Sequence, residues 1–247
     1  MTGDPHLYET LTPPPGRVKG CLYRGSLPGA VCPLASERIK TIPQREWSDL
    51  IPRIDLRPKV PSVFDQNGNG SCATESATGG VKVCRSMNRM PFMELNPLFV
   101  YHTTSGGRDS GSNIDSNLAF IREHGVAPES VWPRSKGFLK TPSEEAKHAA
   151  LRYRIDEFFD IQTWEEFGSA LLQGFAVVWG YSGHSILATG LTDENTIEYL
   201  NSWGMWGDQG YGRARSRSIV WGYGAWAIRS VIVPEEEDDD IPKPATA

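Results

Sequence analysis

The chain has 247 residues, 39% hydrophobic and 22% charged, which excludes a disordered or collagen-like polymer and suits one large or two small globular domains. Its net charge of −5 lies wholly in residues 234–247, where Glu235 to Asp240 are consecutive acids opposed by Lys243. The rest of the chain balances to zero, so no basic field points to nucleic acid. No apolar run approaches the roughly 20 residues that span a bilayer, and the start lacks the basic-then-apolar order of a secretory signal. The expectation is a cytoplasmic protein without membrane contact.

In chain order, residues 1–50 read as an irregular arm with Pro13-Pro14-Pro15-Gly16, of which only Ile42 to Leu50 is suited to docking. The main domain is expected over residues 51–233 and a solvated acidic tail over 234–247. Ser71 offers an N-cap for a helix from Cys72 to about Arg89, although Gly79-Gly80 argues against that helix unless close packing requires both glycines. Ile114, Leu118 and Ile121 predict a helix over Ile114 to His124, stopped by Gly125, and His102 is expected to end a helix. Shorter helices are predicted over Ser143 to Arg152 and Trp164 to Leu172. Strands follow at Phe175 to Trp179, Ser185 to Leu191, Thr196 to Asn201, Tyr211 to Arg215 and Ala225 to Val233. Helices first and antiparallel strands last define an α+β chain with two lobes.

The chemistry begins at Cys72, placed between a glycine-rich turn (Asn67-Gly68-Asn69-Gly70-Ser71) and a helix start whose partial positive charge favours a thiolate. His184 heads a predicted strand behind Gly183. Asn201 follows the next strand, so neighbouring strands would bring an amide oxygen to the imidazole. Cys32 and Cys84 read as small buried hydrophobes, and whether Cys21 and Cys32 pair is left open. Without a secretory signal or zinc spacing, free thiols in a reducing compartment are expected. The histidines at 6, 102, 124, 148 and 184 lack ligand spacing, so no metal or organic cofactor is expected.

These residues resemble the papain-like cysteine peptidases over roughly Asp55 to Tyr211. The resemblance rests on Asp55-Leu56-Arg57, Phe64-Asp65-Gln66, Gly70-Ser71-Cys72, Asn96 to Tyr101, Asp109-Ser110-Gly111-Ser112, Gly125 to Glu129, Trp132-Pro133, Gly183-His184, Asn201-Ser202-Trp203-Gly204 and Trp206 to Tyr211. Several of these pieces look like the bacterial and viral branch. The resemblance implies a helical left lobe and an antiparallel β-sheet or barrel as right lobe, with the active-site cleft between them. It implies Cys72 as nucleophile, His184 as base and later acid, Asn201 as orienter, and Gln66 with the Cys72 backbone N–H as oxyanion hole. It further implies that Trp203 shields the Asn201–His184 contact, and that Gly111, Ser112 and Gly183 lie along the substrate.

Three departures from the family stand out. Ala73 replaces the usual Trp, Asn69 and Asp109 stand where better-known members carry a disulfide, and only Gly180 to Gly183 remain of a stretch that usually lines the cleft. The arm is unlike the family's long helical inhibitory prosegment, and the expectation is that residues 1–50 wrap the domain or bind a partner instead of merely blocking the cleft. The activity expected is hydrolysis of a peptide or protein substrate through an acyl-enzyme on Cys72. The alternative is a catalytically silent papain-like module serving as a structural or docking component of a larger assembly, such as a phage particle, with partners on residues 1–50 and the acidic tail.

Overall fold

A computed structural model of the chain describes residues 4–24 and 32–233, and the acidic tail lies outside the described residues. Its frame is a six-stranded antiparallel sheet formed by β1 (Ile155–Asp160), β2 (Val177–Tyr181), β3 (His184–Asp193), β4 (Thr196–Leu200), β5 (Tyr211–Arg215) and β6 (Ala225–Val231). The order β1-β6-β2-β3-β4-β5 leaves the sheet open and not closed into a barrel.

Both faces of this sheet are buried, because successive side chains point to opposite sides and both sides find apolar partners. Val178, Leu187, Trp226 and Ile228 face a core shared with the helical lobe. Val177, Trp179, Ile186, Ala188 and Ala227 face a second core on the other side. Strand β1 has no counterpart among the predicted strands. Its neighbouring Phe158 and Phe159 belong to the two different cores, so its sequence reads as an apolar pair after two acids and not as an alternation.

After α1 (Ala35–Arg38) and α2 (Trp47–Leu50), the helical lobe is built on α3 (Cys72–Met87), flanked by α4 (Pro97–Thr104) and α5 (Ile114–His124). The paired glycines of α3 are there for contact. A Cβ on Gly79 would stand 2.7 Å from the Phe64 ring, and one on Gly80 would stand 2.7 Å from Ile228 Cδ1. Helix α3 therefore lies closer to the sheet than alanines would allow, which outweighs the roughly 1 kcal/mol helix cost of each glycine. Ser71 does not cap the helix as expected; its hydroxyl lies 3.4 Å from Glu75 Oε1. Helix α5 ends on Gly125 at φ 76°, with the Gly125 N–H on Ile121 O. Beyond α6 (Glu144–Ala150), α7 (Trp164–Leu172) starts with a complete capping box, Thr163 bonding the Glu166 N–H and Glu166 reaching back.

The N-terminal arm is woven into this frame. Tyr8 N–H donates to Arg213 O and Arg213 N–H to His6 O, adding a short pairing along the β5 edge. Leu11 and Trp47 are fully buried in the second core, where Trp47 lies edge-on to Trp164. Gly168 of α7 is the complementary surface, since a Cβ there would fall 1.9 Å from the Trp47 ring.

Candidate active site

Cys72 opens α3 at the junction of the two lobes, and His184 opens β3 after a two-residue hairpin. Ser182 (φ 56°) and Gly183 (φ 77°) are both left-handed, the signature of the tight turn that matches strand twist. The stretch that looked truncated in the sequence is this hairpin, which fixes the imidazole at the end of a rigid ribbon.

Asn201 directly follows β4, next to β3 in the sheet, and its Oδ1 lies 2.8 Å from His184 Nε2. With the proton on Nε2, His184 Nδ1 keeps its lone pair, and this buried nitrogen has no hydrogen-bond partner among the described residues. Trp203 stacks on the imidazole at 4.4 Å between centroids and 27° between planes, and only 3% of it is exposed. Ser202 joins the parts: its N–H donates to Asn201 Oδ1 at 2.7 Å and its hydroxyl to Gln66 Oε1 at 2.7 Å. Sequence reasoning quoted Ser202 only as a motif residue. Its linking role depends on the pairing of Asp65 with Trp203, between segments far apart in the chain.

Other groups hold the Gln66 loop against α3. Arg134 donates to Asp65 O at 3.0 Å and to both oxygens of the fully buried Glu75, at 2.9 and 2.6 Å. A twin hydrogen bond of this kind is what keeps a buried carboxylate tolerable. At the position where a disulfide was expected to be lacking, Asp109 Oδ1 accepts from Gly70 N–H at 2.7 Å and from the Tyr101 hydroxyl at 2.8 Å, so hydrogen bonds tie the two loops. All four cysteines are free thiols.

The cleft is filled by the arm. Cys21 N–H donates to Gly183 O (3.1 Å), Ser112 N–H to Gly20 O (2.9 Å) and Leu22 N–H to Ser112 O (3.1 Å), a parallel pairing along the edge that carries Gly111 and Ser112. Gln66 Nε2 donates to Val18 O at 3.1 Å. Arg17 pairs with Asp65 at 2.6 Å, Lys19 Nζ bonds Ser182 Oγ at 3.0 Å, and Tyr23 stacks on Tyr223 at 4.2 Å. Gly20 fits because it lacks a side chain: a Cβ would stand 2.0 Å from Gly70 O. Against the expectation that residues 1–50 wrap the domain or bind a partner instead of merely blocking the cleft, residues 17–24 lie along Gly183, Ser112 and Gln66, while residues 4–11 and 32–50 pack on the domain.

Burial sets the electrostatics. Cys72 and His184 are fully buried. Burial pushes the Cys72 thiol up to about 11 against the N–H groups of Ser185, Gly20 and Ala73 that favour the thiolate. Burial pushes His184 down to about 4, partly opposed by Asn201 and reinforced by Lys19. Both groups are neutral here, and no hydrogen bond joins them among the described residues.

No protein-family model matches the chain, and no curated protein matches it by sequence. Solved structures do. Xylellain, a cysteine protease from Xylella fastidiosa, superposes with a TM-score of 0.66 at 23% identity, over 90% of this chain and 100% of the other. Digestive procathepsin L 3 from Tenebrio molitor superposes with a TM-score of 0.64 at 18% identity, over 85% of this chain and 76% of the other. The ragweed cysteine protease Amb a 11 in its proform gives 0.60 at 17% identity, over 73% of this chain and 66% of the other. The chain therefore has the papain-like fold, a helical lobe against an antiparallel sheet.

Proposed function

We propose that this chain is a cysteine peptidase that hydrolyses peptide or related amide bonds through an acyl-enzyme on Cys72, and that residues 17–24 hold it closed. Once the arm leaves, water reaches the pair and lifts the burial that keeps both groups neutral. The Cys72 proton passes to His184 Nδ1, and the thiolate attacks the substrate carbonyl carbon. Gln66 Nε2 and the Cys72 N–H receive the developing oxyanion. His184 then protonates the departing amine, leaving a thioester that water hydrolyses with His184 as base. Asn201 keeps the imidazole in the tautomer that presents Nδ1.

The observation that carries this reading is the seat of Val18. An amide carbonyl already rests 3.1 Å from Gln66 Nε2, beside a cysteine at a helix start and a histidine whose free nitrogen is aimed by Asn201. The folds of the cysteine proteases above support it. Placement of the chain in a bacterial or phage particle rests on the motifs alone. No described helix is long and apolar enough to cross a membrane.

The test is labelling of Cys72 by a peptidyl electrophile and turnover of a peptide library, in the natural chain, in Gly20→Ala and in Cys72→Ala. Gly20→Ala is expected to label and turn over at least tenfold faster than the natural chain, and Cys72→Ala to do neither. Inertness of both the natural chain and Gly20→Ala would favour the silent docking module.

A further inference from the structure

Arg24 of the arm occupies a site of its own. Its guanidinium bonds Asp160 Oδ2 and lies over the Trp226 ring, 4.7 Å from the centroid. Asp160 is 8% exposed, and its Oδ2 also accepts from Gln162 Nε2 at 2.7 Å. Its other oxygen, Oδ1, is buried without a hydrogen-bond partner among the described residues. The backbone at this point is held by groups that read no side chain: Arg24 N–H on Gly222 O at 2.8 Å, and Asn113 Nδ2 on Tyr23 O.

We infer that Asp160 and Trp226 form a pocket for a basic side chain in the cleft, which the arm fills with Arg24 and which a substrate peptide fills with its own arginine or lysine. The inference rests on the peptidase reading for its substrate and on geometry for its chemistry. A buried carboxylate beside an indole face is a site for a cation, and arginine satisfies both at once. When the arm withdraws, Asp160 is left uncompensated unless the incoming chain supplies a positive charge, so the pocket selects against neutral and acidic side chains. Arg24 is an imperfect occupant, since its bond falls on Oδ2, which Gln162 shares, and leaves Oδ1 without a partner among the described residues. An arginine arriving from another direction can bond both oxygens, which is what a competitor needs in order to displace a tethered segment. The site is within reach of the chemistry: Arg24 lies three residues beyond Cys21, whose N–H bonds Gly183 O beside His184, and three extended residues span roughly 10 Å. The Arg24 side chain is 35% exposed, so the pocket opens to solvent.

Two measurements on the full chain test this. In the first, peptidyl vinyl sulfones carrying arginine at one of four successive positions, and glutamine elsewhere, are compared with an all-glutamine probe by the rate of Cys72 labelling. One arginine probe is expected to react at least tenfold faster than the all-glutamine probe. Asp160→Asn is expected to bring that ratio to within twofold of unity. Equal rates for all probes, or a preference that survives Asp160→Asn, would overturn the pocket. In the second, a fluorescent peptide of residues 17–24 and its Arg24→Gln version are titrated against Gly20→Ala. Tighter binding of the arginine form by tenfold or more supports the pocket even if no probe labels Cys72, in which case it is the peptidase reading that falls. Equal binding overturns the pocket.

Discussion

The same N-terminal arm is anchored in two unlike ways. Residues 32–50 bury Trp47 completely between α7 and the sheet, against a glycine whose missing side chain makes the room. Residues 17–24 bury Cys21 in the first core but are otherwise held by backbone hydrogen bonds, by ion pairs at Arg17 and Arg24 that stay partly exposed, and by a tyrosine stack. Apolar burial of the first kind is lost only with the fold. Polar contacts of the second kind exchange readily for contacts with water or with another chain. On the proposed reading the arm is a structural member at one end and a removable cover in the middle.

The largest test of this contrast is Trp47→Ala against Gly20→Ala. Removing the indole should cost about 3–5 kcal/mol of unfolding free energy in a denaturant titration. Gly20→Ala should leave most of the stability in place and raise Cys72 alkylation at least tenfold. Comparable destabilisation by both would erase the distinction.

Next comes pH. In the closed state His184 sits at about 4 and Cys72 at about 11, against ordinary values of about 6.5 and 8.5. Between about pH 6.5 and 4, an open form binds a proton on His184 that the closed form cannot, so closure weakens as pH falls and levels off below 4. Between about 8.5 and 11, the open form releases the Cys72 proton that the closed form retains, so closure weakens again as pH rises. Hydrogen exchange at the Cys21 and Leu22 amides, corrected for intrinsic rates, should be slowest between pH 6.5 and 8.5. A flat profile would contradict the burial argument.

Arg134→Met sharpens the contrast between the cover and the floor of the site. Loss of its bonds to Asp65 O and Glu75 should loosen Gln66 and reduce turnover of a peptide by about tenfold to a hundredfold. Alkylation of Cys72, which needs no oxyanion hole, should hold its rate, and Arg134→Lys should recover part of the turnover. An equal fall in both rates would make Arg134 merely structural. The smallest effect is expected from Arg17→Gln. Its exposed pair with Asp65 contributes at most about 1 kcal/mol, read as a several-fold rise in alkylation.

Much of this was legible in order along the chain. Helices α5 and α7 follow from their apolar spacing and their stop and cap residues, with the bounds that the periodicity predicted. The motif residues His184, Asn201 and Gln66 were nameable because each stands in a short run of distinctive neighbours, and the fold connects them through Ser202. Strand β1 escaped because a strand buried on both faces loses the alternation that marks one. The ends of β2 and β6 fell within two residues of the expectation, since pairing and not composition decides where a strand stops.

By itself the sequence determined what is local: the bounds of α5 and α7, the α+β order of the elements and the candidates for chemistry. Tertiary structure alone decided that residues 17–24 lie in the cleft, that Arg134 clamps Gln66 to α3, and that Asp160 meets Arg24. Each of these joins residues 48 or more positions apart through a few polar contacts, and such contacts leave no periodic trace in either segment. The glycines carry the clearest example. Gly20, Gly80 and Gly168 look alike in a sequence, and only the packing shows that one admits a cover, one a sheet and one a tryptophan.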